Sequence, residues 1–193
     1  GIRSLVTFIL APVLLISFLL EPFTPDLIIM LGTAKITAKI GSFPANVDAI
    51  WEIKFIGNRI LFYILNWADP FQGLLYQIWM KGMVAVVAIV ILWLFSKEVG
   101  AMWGVERDWV FILGFIGVFA IGSFMIMQAE WFAVLICLGM ITLLLRNSNA
   151  TWVAAGALVI PLLLLKGTTV LLAPVALLAY IIIMGKRGVG YRM

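Results

Sequence analysis

The stretch Leu74 to Phe95, LLYQIWMKGMVAVVAIVILWLF, decides the fold class of this chain. Its one charged residue is Lys81, and it is long enough to supply the ~20 apolar residues that an α-helix needs to cross a bilayer. The rest of the chain has the same character, because 65% of all residues are hydrophobic, 11% are charged and the mean hydropathy is +1.19. Soluble domains are about 45–50% apolar and ~25% charged, so the composition indicates an integral membrane protein.

Further apolar segments, bounded by charges, Gly or Pro, predict additional spans on both sides of this stretch. The candidate spans are residues 4–20, 74–95, 109–127, 131–145, 150–165 and 168–184. The sequence therefore predicts an all-α polytopic fold with about six transmembrane helices in a single transmembrane domain, residues 1–193. Within it we expect span one at 4–20, an outer loop at 21–73, spans two to six at 74–184 and a cytoplasmic tail at 185–193.

The charges at the span ends predict the orientation. With a cytoplasmic N-terminus, the inner side holds Arg3, Lys97, Arg107, Arg146, Lys186, Arg187 and Arg192 against Glu98, Glu106 and Asp108. The outer side balances its basic residues with acidic ones, so the basic excess lies inside, as the positive-inside tendency expects. We therefore expect a multi-pass protein with its functional face outside the cytoplasm.

The link between the first two spans, residues 21–73, is much longer than the roughly 2–8 residues that join packed helices. Apolar residues recur through it at helical spacing and predict two amphipathic helices lying on the outer membrane surface. The first contains Ile28, Leu31, Ala34 and Ile36, and the second contains Ile60, Leu61, Ile64, Leu65 and Trp67. Gly41 to Pro44 separates them as a helix stop. Loops of this length usually carry function.

The composition also excludes several kinds of chemistry. The chain has no His, so neither a His-ligated metal nor a His general base is available, and its single Cys137 excludes a disulfide framework. The net charge of +4 is small and dispersed, and we expect no nucleic-acid partner. Acid–base chemistry would have to use carboxylates or lysines.

Three stretches, in this order along the chain, resemble the GT-C glycosyltransferases, in particular the protein mannosyltransferase-like and aminoarabinose transferase-like branch. The first is EPFTPD at 21–26; the second is DAIWEIK at 48–54, followed by Gly57-Asn58-Arg59 and Phe62-Tyr63; the third is KGTTVLLAP at 166–174. The resemblance implies transfer of a sugar from a polyprenyl-phosphate donor to an acceptor at the outer face of the membrane. Membrane lipids are further expected partners, and partner membrane subunits would be needed if the chain is one part of a split enzyme.

Two carboxylates are the candidates for catalysis. Asp26 matches the position of the family's catalytic carboxylate, and Glu130 matches an acidic residue at a later outer turn. Asp26 could instead be an interfacial helix N-cap, and Glu130 could simply terminate a helix. The family contains metal-using and metal-free members, which leaves a divalent cofactor such as Mg²⁺ or Mn²⁺ open, with Asp26 and Glu130 as its outer carboxylate pair.

Basic residues on the predicted outer side are candidates for binding the donor phosphate, because Arg can grip two oxygens and Lys supplies a point charge. The basic candidates are Lys54, Arg59, Lys81 and Lys166. Tyr63 is a further substrate-binding candidate, because the resemblance implies that its region shapes the acceptor or lipid entrance. Any single Lys among them could instead snorkel to the headgroups from a span boundary.

Two other functions compete with sugar transfer. The chain could be a non-catalytic scaffold or lipid-binding subunit of a membrane complex, with partner chains supplying further spans. A solute transporter is disfavoured, because the predicted spans carry almost no ionisable residue away from their ends and show no paired broken helices.

Overall fold

The computed structural model describes residues 6–21, 73–120, 129–165 and 167–190, and the regular elements in these ranges are all helical. They are a π-helical turn at Val6–Leu10, α1 (Ala11–Leu20), α2 (Gly73–Trp103), α3 (Arg107–Phe119), α4 (Ala129–Leu145), α5 (Asn149–Ala157), α6 (Val159–Leu165), a 3₁₀ helix at Gly167–Leu171 and α7 (Leu172–Gly190). The all-α prediction is confirmed for this part of the chain. The two amphipathic helices predicted between residues 28 and 67 lie outside the described residues.

Helix α2 is the longest element in the described ranges, with 31 residues and an axis about 46 Å long at 1.5 Å per residue. It continues past the predicted span end at Phe95 through Lys97 and Glu98. Charged residues lower the hydropathy but do not interrupt a helix. A span predicted from hydropathy therefore ends before the helix does. The helix ends before Gly104, whose φ of 65° is a left-handed conformation that glycine adopts readily.

Helices α2 and α4 are the centre of the bundle. Helix α1 packs on α2 and α3, whereas α4 packs on α2, α5, α6 and α7. One buried cluster joins the first four helices through Phe18, Met80, Phe115 and Trp131. A second buried cluster joins α2, α4, α5 and α7 and includes Leu144, Ala155 and Tyr180. This cluster extends the core to the other end of the bundle.

The predicted span at 150–165 is divided at Leu158 into α5 and α6. Pro161 explains the break, because its ring clashes with the carbonyl of the residue four positions earlier and it has no N–H to donate. The Leu158 N–H is shared between the carbonyl oxygens of Ala154 and Ala155, each at 3.2 Å. The Thr169 hydroxyl donates to the carbonyl of Leu162 and ties the 3₁₀ helix back to α6.

Within the described ranges, two helices are long and apolar enough to cross a membrane, Leu75–Trp103 and Thr168–Gly185. Only 33% and 22% of their apolar windows are buried inside the protein, whereas a core helix of a soluble protein is mostly buried. Shorter apolar helices at Phe8–Leu20, Glu130–Leu145 and Asn149–Leu165 fall within or close to predicted spans. Length and composition thus mark two of the predicted spans as able to cross a bilayer.

Candidate functional site

Lys81 lies on α2 against the C-terminal end of α1 and is only 1% exposed. Its Nζ donates hydrogen bonds to the carbonyl oxygens of Phe18, at 2.8 Å, and Glu21, at 2.5 Å. The last four carbonyls of an α-helix have no partner within the helix, so these bonds satisfy acceptors that α1 cannot satisfy itself. A cation at this position also complements the partial negative charge of a helix C-terminus.

Gln77 lies one turn before Lys81 on the same face of α2 and completes the same cap. Its Nε2 donates to the carbonyl oxygens of Leu19, at 3.1 Å, and Glu21, at 2.6 Å. The Glu21 carbonyl therefore receives donors from two side chains of α2. Because α1 ends at Leu20 and Glu21 is in extended conformation, with φ −60° and ψ 133°, this pair holds the C-terminal end of α1 against α2.

The buried ammonium of Lys81 has further compensation for the loss of water. It lies 5.4 Å from the centroid of the Phe18 ring, within the range of a cation–π contact, and it interacts electrostatically with Glu21. An unpaired buried charge is unstable, whereas one that is hydrogen-bonded and paired is tolerated. We call the group of Phe18, Glu21, Gln77 and Lys81 the capping cluster.

Aromatic rings connect the capping cluster to α3 and α4. Phe18 packs edge-on to Phe119 at 5.1 Å and is stacked with Trp131 at 5.9 Å between centroids. The buried Trp131 donates its Nε1–H to the carbonyl oxygen of Val118 at 3.0 Å, near the C-terminus of α3. The ends of α1, α3 and α4 are thereby held together beside Lys81.

Glu130 precedes Trp131 in the first turn of α4 and is half-buried. A carboxylate is favourable there because the helix N-terminus carries partial positive charge. The Trp131–Phe18–Lys81 contacts put Glu130 at the same end of the bundle as Lys81. Lys81 and Glu130 are the predicted site residues that the described part of the structure brings to the same end of the bundle.

Most of the other charged side chains in the described ranges lie at the opposite end of the bundle. Arg146, after α4, donates from Nε to Glu98 of α2 at 3.1 Å, and Arg107 pairs with Asp108 at 3.2 Å at the start of α3. Lys81 and Glu98 are separated by about 26 Å along α2 at 1.5 Å per residue. The charges therefore form two layers separated by an apolar stretch.

The remaining predicted site residues, Asp26, Lys54, Arg59, Tyr63 and Lys166, lie outside the described residues. Among the residues that are described, no group of three or more Cys, Asp and Glu side chains could hold a metal ion. The metal pair of Asp26 and Glu130 stays a prediction, as does phosphate binding by Lys81.

Sequence reasoning missed the roles of Gln77, Phe18 and Trp131. Gln77 and Lys81 have the four-residue spacing that puts two side chains on one helical face, which is a local signal for a shared contact. Their partner, the end of α1, is separated from them by a long stretch of chain, and no local pattern identifies it.

Comparison with known proteins assigns no family, since no family profile, curated protein or solved structure matches the chain.

Proposed function

We propose that this chain is a multi-pass membrane protein that transfers a sugar from a polyprenyl-phosphate donor to an acceptor hydroxyl at the membrane face carrying the capping cluster. The membrane part of the proposal is supported by the exposed apolar side chains of the long helices. On α2 and α7 these include Val86, Val87, Val90, Leu178, Ile181 and Ile182, all at least half exposed. Exposed apolar side chains repeated along a helix are typical of a surface that contacts lipid or another protein.

The observation that carries the functional part is the convergence at Glu21. Lys81 and Gln77 fix the Glu21 carbonyl, and the next residues along the chain, 22–72, contain Asp26, Lys54, Arg59 and Tyr63. Glu130 lies at the same end of the bundle. In this proposal Lys81 is a positioning residue, which anchors the start of the segment that carries the catalytic carboxylate.

The reaction assigned to these residues is the transfer of a glycosyl group from a phosphate oxygen to a hydroxyl oxygen. The bond between the sugar C1 and the donor phosphate oxygen breaks, and a bond forms between C1 and the acceptor oxygen. Asp26 accepts the proton of the acceptor hydroxyl, and Arg59 and Lys166 stabilise the negative charge of the released polyprenyl phosphate. The roles of these three residues follow from the resemblance to GT-C enzymes.

The experiment uses purified full chain in lipid nanodiscs with a panel of radiolabelled polyprenyl-phosphate sugars and a membrane-extract acceptor fraction. Donor binding and release of polyprenyl phosphate are measured separately. Asp26→Asn is expected to lower turnover by roughly 10²-fold or more with donor binding kept, since general-base catalysis contributes about that much. Lys166→Ala is expected to weaken donor binding.

Matched controls come from the opposite end of the bundle. Glu106→Gln removes a carboxylate and Arg146→Ala removes a cation there, and both should leave binding and turnover unchanged. Unimpaired turnover in Asp26→Asn would reject Asp26 as the base. Saturable donor binding without transfer in the wild type would favour the scaffold or lipid-binding alternative, and lack of binding would reject both.

A further inference from the structure

A groove between α1 and α3 lies at the end of the bundle opposite the capping cluster. Its volume is about 290 Å³. The lining residues are Leu10, Ala11, Trp93, Arg107, Asp108, Phe111, Ile112, Phe115 and Ile116. We call this the α1–α3 groove. Its walls are apolar, and its two charged residues are adjacent at the first turn of α3.

The size and walls of the groove suit one hydrocarbon chain. Small-molecule sites are roughly 300–1,000 Å³, so the volume is at the lower end of that range and favours a narrow ligand. Among the lining residues, Ile112 and Phe115 of α3 are buried, and Trp93 of α2 contributes an aromatic ring. A ligand fully inside this groove would meet carbon atoms along most of its length.

Arg107 of α3 and Lys97 of α2 supply cationic donors beside the groove. Arg107 is about half exposed and uses its Nε–H and an Nη2–H on Asp108, at 3.3 and 3.2 Å, and its guanidinium has five N–H donors in all. The Nζ of Lys97 lies 6.0 Å from the centroid of the Trp93 ring, which places a second cation beside the groove wall. Of the acidic residues Glu106 and Asp108, Asp108 lines the groove.

We propose that the α1–α3 groove binds one acyl chain of an anionic phospholipid, whose headgroup phosphate is held by Arg107 and Lys97. Arg107 keeps N–H donors that its bonds to Asp108 do not use, and the Lys97 ammonium lies beside Trp93, so two cationic side chains from α3 and α2 can bind one phosphate here. The predicted orientation puts this end in the cytoplasmic leaflet, which contains the anionic lipids of the membrane. The inference rests on the proposed membrane embedding but not on the proposed transferase activity, which is assigned to the end of the bundle with the capping cluster.

The test measures lipid enrichment on the purified full chain in nanodiscs containing equal amounts of phosphatidylglycerol and phosphatidylcholine. After gentle extraction, native mass spectrometry counts the lipids that remain bound. Phosphatidylglycerol should be enriched, and Arg107→Gln and Lys97→Gln should each lower the enrichment about tenfold, because each removes hydrogen bonds to a charged phosphate. Asp108→Asn should raise it, because the opposing carboxylate is lost.

Two matched variants separate the groove from general surface charge and bulk. Ile116→Trp fills the groove and should reduce retained lipid, whereas Leu113→Trp adds the same ring to an exposed position of α3 and should not. Arg146→Gln removes a cation at the same end but outside the groove and should leave the enrichment unchanged. Circular dichroism and gel filtration check that each variant remains folded.

Three results would overturn the proposal. Equal retention of the two lipids would reject a charge-selective mouth. An effect of Arg146→Gln as large as that of Arg107→Gln would assign the selectivity to the overall surface potential. Displacement of phosphatidylglycerol by polyprenyl phosphate, together with a loss of polyprenyl phosphate binding in Ile116→Trp, would assign the groove to the donor lipid. This outcome is distinct from failure of the transferase assay.

Discussion

At the scale of single residues, Lys81 combines features that usually exclude one another. It is charged, it lies within the apolar stretch that indicates a membrane span, and it is almost completely buried. Its hydrogen bonds to Phe18 and Glu21 explain how it is tolerated, because backbone carbonyls at a helix C-terminus are strong, partly negative acceptors. The residue is best understood as a side-chain cap supplied by a neighbouring helix.

Replacing Lys81 by Met tests this role in the structure. Lys81→Met keeps the length of the side chain but leaves the Phe18 carbonyl without its side-chain donor, whereas the Glu21 carbonyl keeps the bond from Gln77. We expect the free energy of unfolding in detergent micelles to fall by about 1–3 kcal/mol, the usual consequence of leaving a buried acceptor unsatisfied. Reversible denaturant unfolding followed by tryptophan fluorescence measures it.

The control is Lys97→Met, which removes an exposed lysine from the same helix and should change stability by no more than ~0.5 kcal/mol. If both variants unfolded alike, the cap would contribute nothing.

At the scale of elements, the sequence located the helices better than their ends. Each candidate span contains a helix in the described ranges, and two of these helices are long and apolar enough to cross a membrane, since a long apolar run constrains the backbone to satisfy its own hydrogen bonds. It did not show that α2 continues to Trp103, since charged residues stop an apolar window but not a helix. It also missed the break at Leu158, although Pro161 was the available signal.

The junction between α2 and α3 depends on Gly100. A Cβ built there would lie 3.1 Å from both the Arg107 Cα and the Val105 carbonyl oxygen, which are backbone atoms that cannot rotate away. Gly100→Ala should therefore displace the start of α3 and destabilise the protein by about 1–3 kcal/mol, as overpacking does. Thermal unfolding of the purified protein measures the change.

Gly117→Ala is the matched variant, because a Cβ at that position of α3 meets no atom within 4 Å. It should leave the melting temperature unchanged or raise it slightly, since Ala favours a helix over Gly. A melting temperature that drops equally in both variants would show that close packing at Gly100 is not the cause.

At the scale of the whole molecule, the two charged layers are the feature that the sequence predicted and the packing explains. The charges at the ends of the predicted spans indicated two charged layers. The alternating directions of α2, α3 and α4 place Glu98, Arg107 and Arg146 at one end of the bundle and Lys81 with Glu130 at the other. The partners within each layer were not predictable, because Arg146 and Glu98, or Lys81 and Glu21, meet only after the helices pack. Roles for Asp26, Arg59 and Lys166 still rest on resemblance.

The proposed membrane topology can be measured with single cysteines in a Cys137→Ser background. A cysteine at Ser148, in the layer with Arg146, should react with a membrane-impermeant maleimide only from the cytoplasmic side. A cysteine at Glu130 should react only from the outer side. Labelling of both positions from the same side would contradict the orientation, and labelling of both from either side would contradict embedding.

The contact between Lys81 and the end of α1 bears on how the protein would be made in a membrane. A lysine at the centre of a lone helix disfavours insertion by about 2.5–3.5 kcal/mol on biological scales; Lys81 is the ninth of the 31 residues of α2, nearer one end, so a lone α2 would carry only part of this cost. The carbonyls of Phe18 and Glu21, already present when α2 emerges from the ribosome, provide the acceptors that offset this cost. In the proposed membrane setting, α1 would therefore lower the cost of inserting α2 by supplying acceptors for the Lys81 ammonium.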